Sequence, residues 1–276
     1  MRLVIDYQGS QCGSRFRGIG RYTSSLTKAL IRNKSEEDEI ILVLNGAFED
    51  TIEQIRAEFY EILPQENIRV FYPPIPVREG QEGNDQRRQI AEIIREALLV
   101  SLKPDIVLIP SLFEGFVDDA VTSVKAFSNI PTAVIAHDLI PYKDQHIHFK
   151  NPLFKKHYLK KLEYFKKADL YLANSFYTAK DIIDTLNLDR EKVINISAAV
   201  EEIFRKIDVS EEEKEKFLQK FGINKEFLLF SGAPGDSRKN VQGLIKAFSK
   251  LPKRLIKHHQ LVLVGKVSKQ EMIELK

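Results

Sequence analysis

The chain has 276 residues, and a domain usually takes roughly 100–200 residues, so the length predicts two domains or one large one. With 43% hydrophobic residues, 29% charged residues and a formal net charge of +3, the composition argues against disorder and against a general polyanion binder. The single cysteine, Cys12, excludes an intramolecular disulfide and cysteine-based zinc or iron–sulfur sites, which favours a reducing cytoplasm.

The first apolar stretch of the chain is interrupted by Asp6, so no signal peptide is expected. The later apolar runs, 40–44 and 106–109, are far shorter than the ~20 residues that a membrane crossing requires. The sequence therefore predicts neither secretion nor a transmembrane helix.

Short β-branched runs alternate with segments of helical periodicity along residues 1–200. Strands are predicted at 3–7, 39–44, 68–72, 105–109, 132–136, 169–173 and 193–196. Helical patterns lie between them, at 51–63, 84–102, 149–167 and 177–186, and Tyr22, Leu26, Ala29 and Leu30 have the spacing of one helical face. This βαβ alternation predicts an α/β domain, with a parallel sheet covered on both faces.

The composition changes after Ser197, where we place a domain boundary. Residues 201–224 are rich in Glu and Lys and are predicted to be a charged linker. A new strand, a helix and a further strand are predicted at 227–232, 241–251 and 261–264. Because about 50 residues make a marginal core, 225–276 is interpreted as the beginning of a second Rossmann-like domain, and the chain as part of a longer protein.

The segment between the first strand and the first helix contains Gly18 and Gly20 together with three arginines. Glycine lets a backbone approach a ligand closely, and free N–H groups at a helix start attract phosphate, so these glycines are candidates for binding a phosphorylated group. The alternative is a loop that needs left-handed glycine conformers. Thr23 stands where a dinucleotide fingerprint has its third glycine.

A second candidate lies between the strand at 227–232 and the helix at 241–251, where open α/β sheets bind ligands. Arg238 offers a planar fork and Lys239 a point charge at the helix start, which suits a diphosphate. The alternative is a solvated basic pair without a ligand.

His137 follows the apolar strand at 132–136, at its carboxyl end. A histidine there could donate to a sugar hydroxyl or a phosphate, or act as a base, but a structural role is the alternative. Glu114 also follows a strand, and without a visible carboxylate partner it defines no acid–base pair.

Segment 150–167 is strongly basic, with one acidic residue, Glu163. Its lysines are Lys150, Lys155, Lys156, Lys160, Lys161, Lys166 and Lys167. Apolar residues recur at helical spacing, so one face is predicted to be buried and another to be cationic. That face is a solvated surface or a contact for anionic lipid. No RNA-binding fingerprint or zinc module accompanies it, so no nucleic-acid partner is expected.

Several motifs in order resemble the family 4 (group 1) glycosyltransferases across nearly the whole chain. They are S-R-F-R-G-I-G-R-Y at 14–22, H-D-L-I-P at 137–141, A-D-L-Y-L-A-N-S at 168–175, S-R-K-N at 237–240 and Q-L-V-L-V-G-K at 260–266. The variant R-K-N in place of R-K-G is similar to a bacterial, mannosyltransferase-like branch that builds surface polysaccharides.

The resemblance implies a GT-B fold, in which two Rossmann-like domains face each other across a cleft. It implies transfer of a mannose-like hexose, with retention, from a GDP- or UDP-linked nucleotide sugar to a glycan or lipid-linked acceptor, with no metal and no cofactor. On that pattern Gly18 and Gly20 lie beside the donor phosphates, and His137 touches the transferred sugar. Arg238 and Lys239 would neutralise the departing diphosphate.

Two departures from the family pattern matter. Many members carry an arginine directly after the glycine that ends the first strand of the second domain, whereas Gly232 is followed by Ala233. The family's paired glutamates, spaced eight apart, are expected beyond Lys276. By itself the chain is therefore expected to bind nucleotide weakly and to transfer little or no sugar.

Two alternatives stay open at this stage. A nucleotide-sugar epimerase of the same architecture would need clustered carboxylates, which the sequence does not reveal. A non-catalytic module would dock on a membrane or on a partner enzyme through the basic segment 150–167. The expected location is the cytoplasm, with peripheral contact at the inner face of the membrane.

Overall fold

The computed structural model describes residues 1–232 and 239–265, and the chain divides into two compact units, Met1–Glu201 and Glu202–Lys276. In the first unit, all of which is described, seven parallel strands form one sheet. The strands are β1 Arg2–Asp6, β2 Glu39–Asn45, β3 Ile68–Phe71, β4 Ile106–Ile109, β5 Thr132–Ala136, β6 Leu170–Ala173 and β7 Val193–Asn195. Their order is β3-β2-β1-β4-β5-β6-β7. The predicted α/β class with a parallel sheet is confirmed.

Helices connect these strands. They are α1 Gly18–Asn33, α2 Glu49–Phe59, α3 Asp85–Ser101, the single turns α4 Ile140–Lys143 and α5 Gln145–His148, α6 Pro152–Phe165 and α7 Phe176–Leu186. The two single turns fall where no helix is predicted. Asn151 caps α6 by accepting from the Leu153 and Phe154 N–H groups, and Ser175 caps α7 by accepting from the Thr178 N–H.

Alternate residues of each strand pack on opposite faces of the sheet. Ile5 of β1 belongs to a core formed with α1 and α2, in which Phe59 is fully buried. Its neighbour Val4 belongs to a second core, formed with α3, α6 and α7, which includes Leu162 and Ile182. Both cores consist of aliphatic and aromatic side chains, so the sheet is covered on both faces as the apolar strands predict.

The second unit contains α8 Glu211–Lys220, β8 Glu226–Ser231, α9 Val241–Ser249, α10 Lys253–His258 and β9 His259–Val264. The strands β8 and β9 pair in parallel, with Phe227 opposite Gln260. The prediction of a linker at 201–224 misses α8. Ser210 and Glu213 form a reciprocal capping box there, which starts a helix in the charged run.

The part of the chain that the structure describes contains no helix with both the length and the apolar character needed to cross a membrane.

A buried ion pair joins the interior strand β1 to α3. The Arg95 Nε donates to Asp6 Oδ2 over 2.8 Å, and both side chains are almost completely buried. Arg95 also donates to the Ser123 carbonyl at 3.2 Å, so one guanidinium ties β1, α3 and the β4–β5 loop together.

We expect Arg95→Met to destabilise the first unit by about 3–5 kcal/mol, because it leaves the Asp6 carboxylate buried without its cation. Lys156→Met is the control, since its pair with Asp85 spans 3.4 Å between side chains that are 69% and 86% exposed. Such a surface pair contributes about 0–1 kcal/mol. Urea unfolding of both variants measures the two costs, and similar values would contradict the role assigned to Arg95.

Candidate functional site

The candidate site lies at the carboxyl ends of the parallel strands. The strand order reverses direction between β1 and β4, and open α/β sheets bind ligands in the crevice at such a reversal. The loop after β1 contains two short 3₁₀ turns, Tyr7–Ser10 and Gly13–Phe16, before α1 begins at Gly18. The loops after β4 and β5 contribute Glu114 and His137.

Gly18 and Gly20 have different environments in this loop. A Cβ on Gly20 would lie 2.4 Å from the Ser14 carbonyl oxygen and 2.5 Å from Arg15 Cα, whereas a Cβ on Gly18 would have no atom within 4 Å. Neither glycine has a positive φ, so the alternative of left-handed conformers is wrong for this pair. Gly20 is required for close packing of the backbone, and Gly18 leaves open space at the helix start.

His137 is half-buried and its ring is oriented by the neighbouring strand. The ring Nε2 lies 2.8 Å from the Pro110 carbonyl oxygen. A carbonyl only accepts, so Nε2 carries the proton and Nδ1 of the neutral ring holds the free lone pair. Burial lowers the pKa of His137 below its ordinary value of 6.5. The ring is therefore neutral at pH 7 and presents an acceptor.

Tyr22 connects His137 to the glycine loop. Its ring meets the His137 ring edge to face, with centroids 5.8 Å apart, and its hydroxyl donates to the Ser197 carbonyl at 2.9 Å. From α7, the Thr178 hydroxyl donates to the His137 carbonyl at 3.2 Å. Thus α1, α7 and the segment after β7 all position His137. The helical spacing predicts Tyr22 on α1, but no local signal in the sequence places it beside His137.

Glu114 has a carboxylate neighbour that the sequence does not reveal. Glu114, Asp118 and Cys12 each place one potential ligand atom within 4.8 Å of the other two. Burial and the nearby Glu114 raise the pKa of Asp118, and burial raises the pKa of the Cys12 thiol. Ser111 donates to Glu114 at 2.6 Å. Since Asp118 lies four residues further along an irregular loop, periodicity gives no signal for this pair.

Gln8 holds the crevice together across the sheet. Its side-chain oxygen accepts from the Val121 N–H at 2.8 Å, and its amide donates to the Val121 carbonyl at 2.6 Å. The same amide donates to Asp6 Oδ1 at 2.9 Å, and Asn45 donates to the Gln8 oxygen at 2.8 Å. One buried amide therefore fixes the loops after β1 and β4 and the end of β2.

The two basic residues predicted for diphosphate belong to the second unit. Arg238 lies outside the described residues. Lys239 is exposed, just before the start of α9. Asn240, which precedes α9, has a left-handed backbone, and its side chain makes no capping hydrogen bond. The first N–H groups of α9 are thus left without that side-chain acceptor, next to a lysine.

The structure corrects the predicted cationic face of segment 150–167 at two of its seven lysines. Lys161 is fully buried and donates to the Thr122 carbonyl and hydroxyl at 2.5 and 2.7 Å. Lys160 lies 3.0 Å from Glu92 of α3. Both amino groups therefore hold the domain together. The lysines that remain exposed are Lys150, Lys155, Lys156, Lys166 and Lys167.

The sequence model of Glycosyltransferase Family 4 matches residues 16–202, more than half of the chain. The chain belongs to glycosyltransferase family 4. The matched range includes Gly18, Gly20 and His137. The predicted family is confirmed.

A similar curated relative is the serotype-specific mannosyltransferase WbdA of Escherichia coli, which is 34% identical over 275 residues. The match covers 99% of this chain and 32% of WbdA. A second WbdA from the same species is 32% identical over 250 residues, 90% of this chain and 30% of that protein. The chain thus spans about a third of the length of the curated relatives it matches. The names of both relatives support the predicted resemblance to a mannosyltransferase-like branch.

Solved structures agree on the fold. Anabaena HepE, solved in complex with UDP-glucose, has a TM-score of 0.58 at 16% identity, covering 99% of this chain and 64% of that chain. Sucrose-phosphate synthase from Thermosynechococcus elongatus has a TM-score of 0.62 at 12% identity, covering 98% and 63%. These likenesses confirm the predicted GT-B fold class.

We expect Gly20→Ala to destabilise the first unit by about 1–3 kcal/mol, because the added methyl overlaps the backbone at Ser14 and Arg15. Gly18→Ala is the matched control, because a Cβ on Gly18 would have no atom within 4 Å. It should leave the melting temperature unchanged or slightly raised. Thermal unfolding compares the two variants, and equal losses would show that the packing around Gly20 is misassigned.

The lowered pKa of His137 predicts acid sensitivity. Below the ordinary pKa of 6.5 the unfolded imidazole binds a proton before the folded one does, so unfolding is favoured as the pH falls toward the folded pKa. Above pH 6.5 the stability that the neutral His137 ring contributes to the folded state is fully present. The stability difference between the native protein and His137→Gln should shrink below that pH in urea titrations. A difference independent of pH would contradict a buried, neutral His137.

Proposed function

We propose that the chain is part of a retaining glycosyltransferase, which moves a mannose-like hexose from a nucleotide-diphosphate sugar to a glycan or lipid-linked acceptor in surface polysaccharide synthesis. The observation that carries this proposal is the family 4 match over 16–202, which includes Gly18, Glu114 and His137 of the candidate site. The name of the WbdA relatives supports mannose.

In this proposal the two units have separate tasks. Lys239, with Arg238, neutralises the diphosphate that departs, and the first N–H groups of α9 add donors for phosphate oxygens. The neutral His137 accepts from a hydroxyl of the transferred sugar through Nδ1, because Nε2 is committed to Pro110. Gly18 gives a ligand access to the start of α1. No residue here is assigned to a metal or a cofactor.

The proposal extends to location. We place the protein in the cytoplasm, in peripheral contact with the inner face of the membrane, where a lipid-linked acceptor would be presented. The exposed lysines of segment 150–167 support this, since anionic headgroups attract such clusters.

Calorimetric titration with GDP, UDP and GDP-mannose tests the donor site. We expect Lys239→Ala to weaken binding of the preferred nucleotide about tenfold or more, since a charge-assisted hydrogen bond contributes roughly 1.5–3 kcal/mol. The matched control is Lys246→Ala, which removes an exposed lysine further along α9. It should change the affinity less than about twofold. Equal affinities of the native protein and Lys239→Ala would refute the diphosphate role of Lys239.

One observation favours the epimerase alternative, namely the Glu114–Asp118 pair, which gives that reaction the clustered carboxylates it needs. Product analysis separates the two reactions. Transfer yields free nucleoside diphosphate and a glycosylated acceptor, whereas epimerisation yields a new nucleotide sugar without any acceptor. Formation of the new nucleotide sugar alone would replace the transferase proposal.

A further inference from the structure

The helix α3 buries four charged side chains beside the apolar Ala91 and Leu99, and it exposes a second apolar row on its outer side. The outward face presents Ile90, Ile93, Ala97 and Val100, which we call the α3 stripe. Ile90, Ile93 and Val100 are 50%, 43% and 51% exposed. Their spacing of three and four residues makes one continuous apolar row. An amphipathic helix on a domain surface normally buries such a row.

The buried polar contacts on the inward face of α3 explain why the α3 stripe is exposed. Arg88 forms ion pairs with Glu79 and Glu92, and it donates to the Val77 carbonyl at 2.9 Å. Further along the helix, Glu96 accepts from the Phe127 N–H at 2.8 Å. These buried partners fix the rotation of α3, so the stripe cannot turn inward without leaving several buried charges unpaired.

Exposed lysines and an exposed aromatic ring lie near the stripe. The neighbouring helix α6 is held against α3 by Lys160 and Tyr164, which both bond to Glu92. Lys156 of α6 is 69% exposed beside the first turn of α3, where it lies 3.4 Å from Asp85, and Lys167 is exposed just beyond α6. Phe127, held to α3 by its backbone bond to Glu96, is 48% exposed.

We propose that the α3 stripe, with Phe127 and the exposed lysines next to α6, is the surface on which the first unit rests on an anionic bilayer. Apolar side chains beside lysines suit the boundary between lipid headgroups and acyl chains. There the apolar side chains enter the acyl region, and the lysines contact the lipid phosphates. A second copy fits less well. A two-fold contact through the same stripe would bring the two sets of lysines toward each other. This inference deepens the peripheral location proposed above and rests on it.

Sedimentation of the full chain with vesicles tests the surface. The probes are vesicles of phosphatidylcholine alone and of phosphatidylcholine mixed with phosphatidylglycerol. We expect binding to the mixed vesicles only, weakened by salt, with Ile90→Ser plus Ile93→Ser reducing the partition coefficient about tenfold. Ile194→Ser on β7 is the matched control, because Ile194 is 47% exposed outside the stripe. Circular dichroism confirms that the variants fold.

The possible outcomes separate clearly. Unchanged partition of the double variant, or equal binding of the native protein to both vesicle types, would overturn the proposal. Concentration-dependent dimers that the double variant abolishes would assign the stripe to a second copy instead. Nucleotide binding is a separate readout. If Lys239→Ala leaves nucleotide affinity intact while the stripe variant loses vesicle binding, the donor site fails and the membrane surface stands.

Discussion

The buried Asp6–Arg95 pair is the constraint from which the architecture of the first unit follows. Asp6 ends β1 at the point where the strand order reverses, and its carboxylate accepts hydrogen bonds from both Arg95 and the Gln8 amide. Gln8 then fixes the backbone of Val121. One carboxylate thus links the sheet to α3 and to two loops that border the crevice. The site is rigid because its loops are bonded to the sheet by buried polar groups.

The same buried contacts determine which side chains of α3 are exposed to solvent. A helix that uses Arg88, Glu92, Arg95 and Glu96 to bind loops on its inner side has no inner positions left for Ile90 and Ile93. Their exposure is therefore a consequence of how the crevice is held. Exposed apolar rows of this kind are costly in water, and they persist where a contact outside the domain uses them.

Much of the fold could be predicted because its signals are local. Apolar strands and helical periodicity predict where β1 to β7 lie along the chain, and the motif at 168–175 ends at Ser175, which caps α7. Contacts over long sequence separations give no such signal. Lys161 is predicted on a cationic face, yet it is buried because Thr122 offers two acceptors from the β4–β5 loop. The charged run around 211–220 is a helix because a capping box starts it.

In the candidate site, too, local signals predict where a residue lies, whereas contacts over long sequence separations determine its chemistry. His137 is predictable as a polar residue at a strand end, but its chemistry is set by Pro110 and Tyr22, which lie far away in the sequence. Pro110 fixes the tautomer, and burial keeps the ring neutral, so His137 offers an acceptor and not a cation. A neutral acceptor suits a sugar hydroxyl, whereas a diphosphate needs a cation such as Lys239. The charge state of each residue thus matches the part of a nucleotide sugar that the proposal assigns to it.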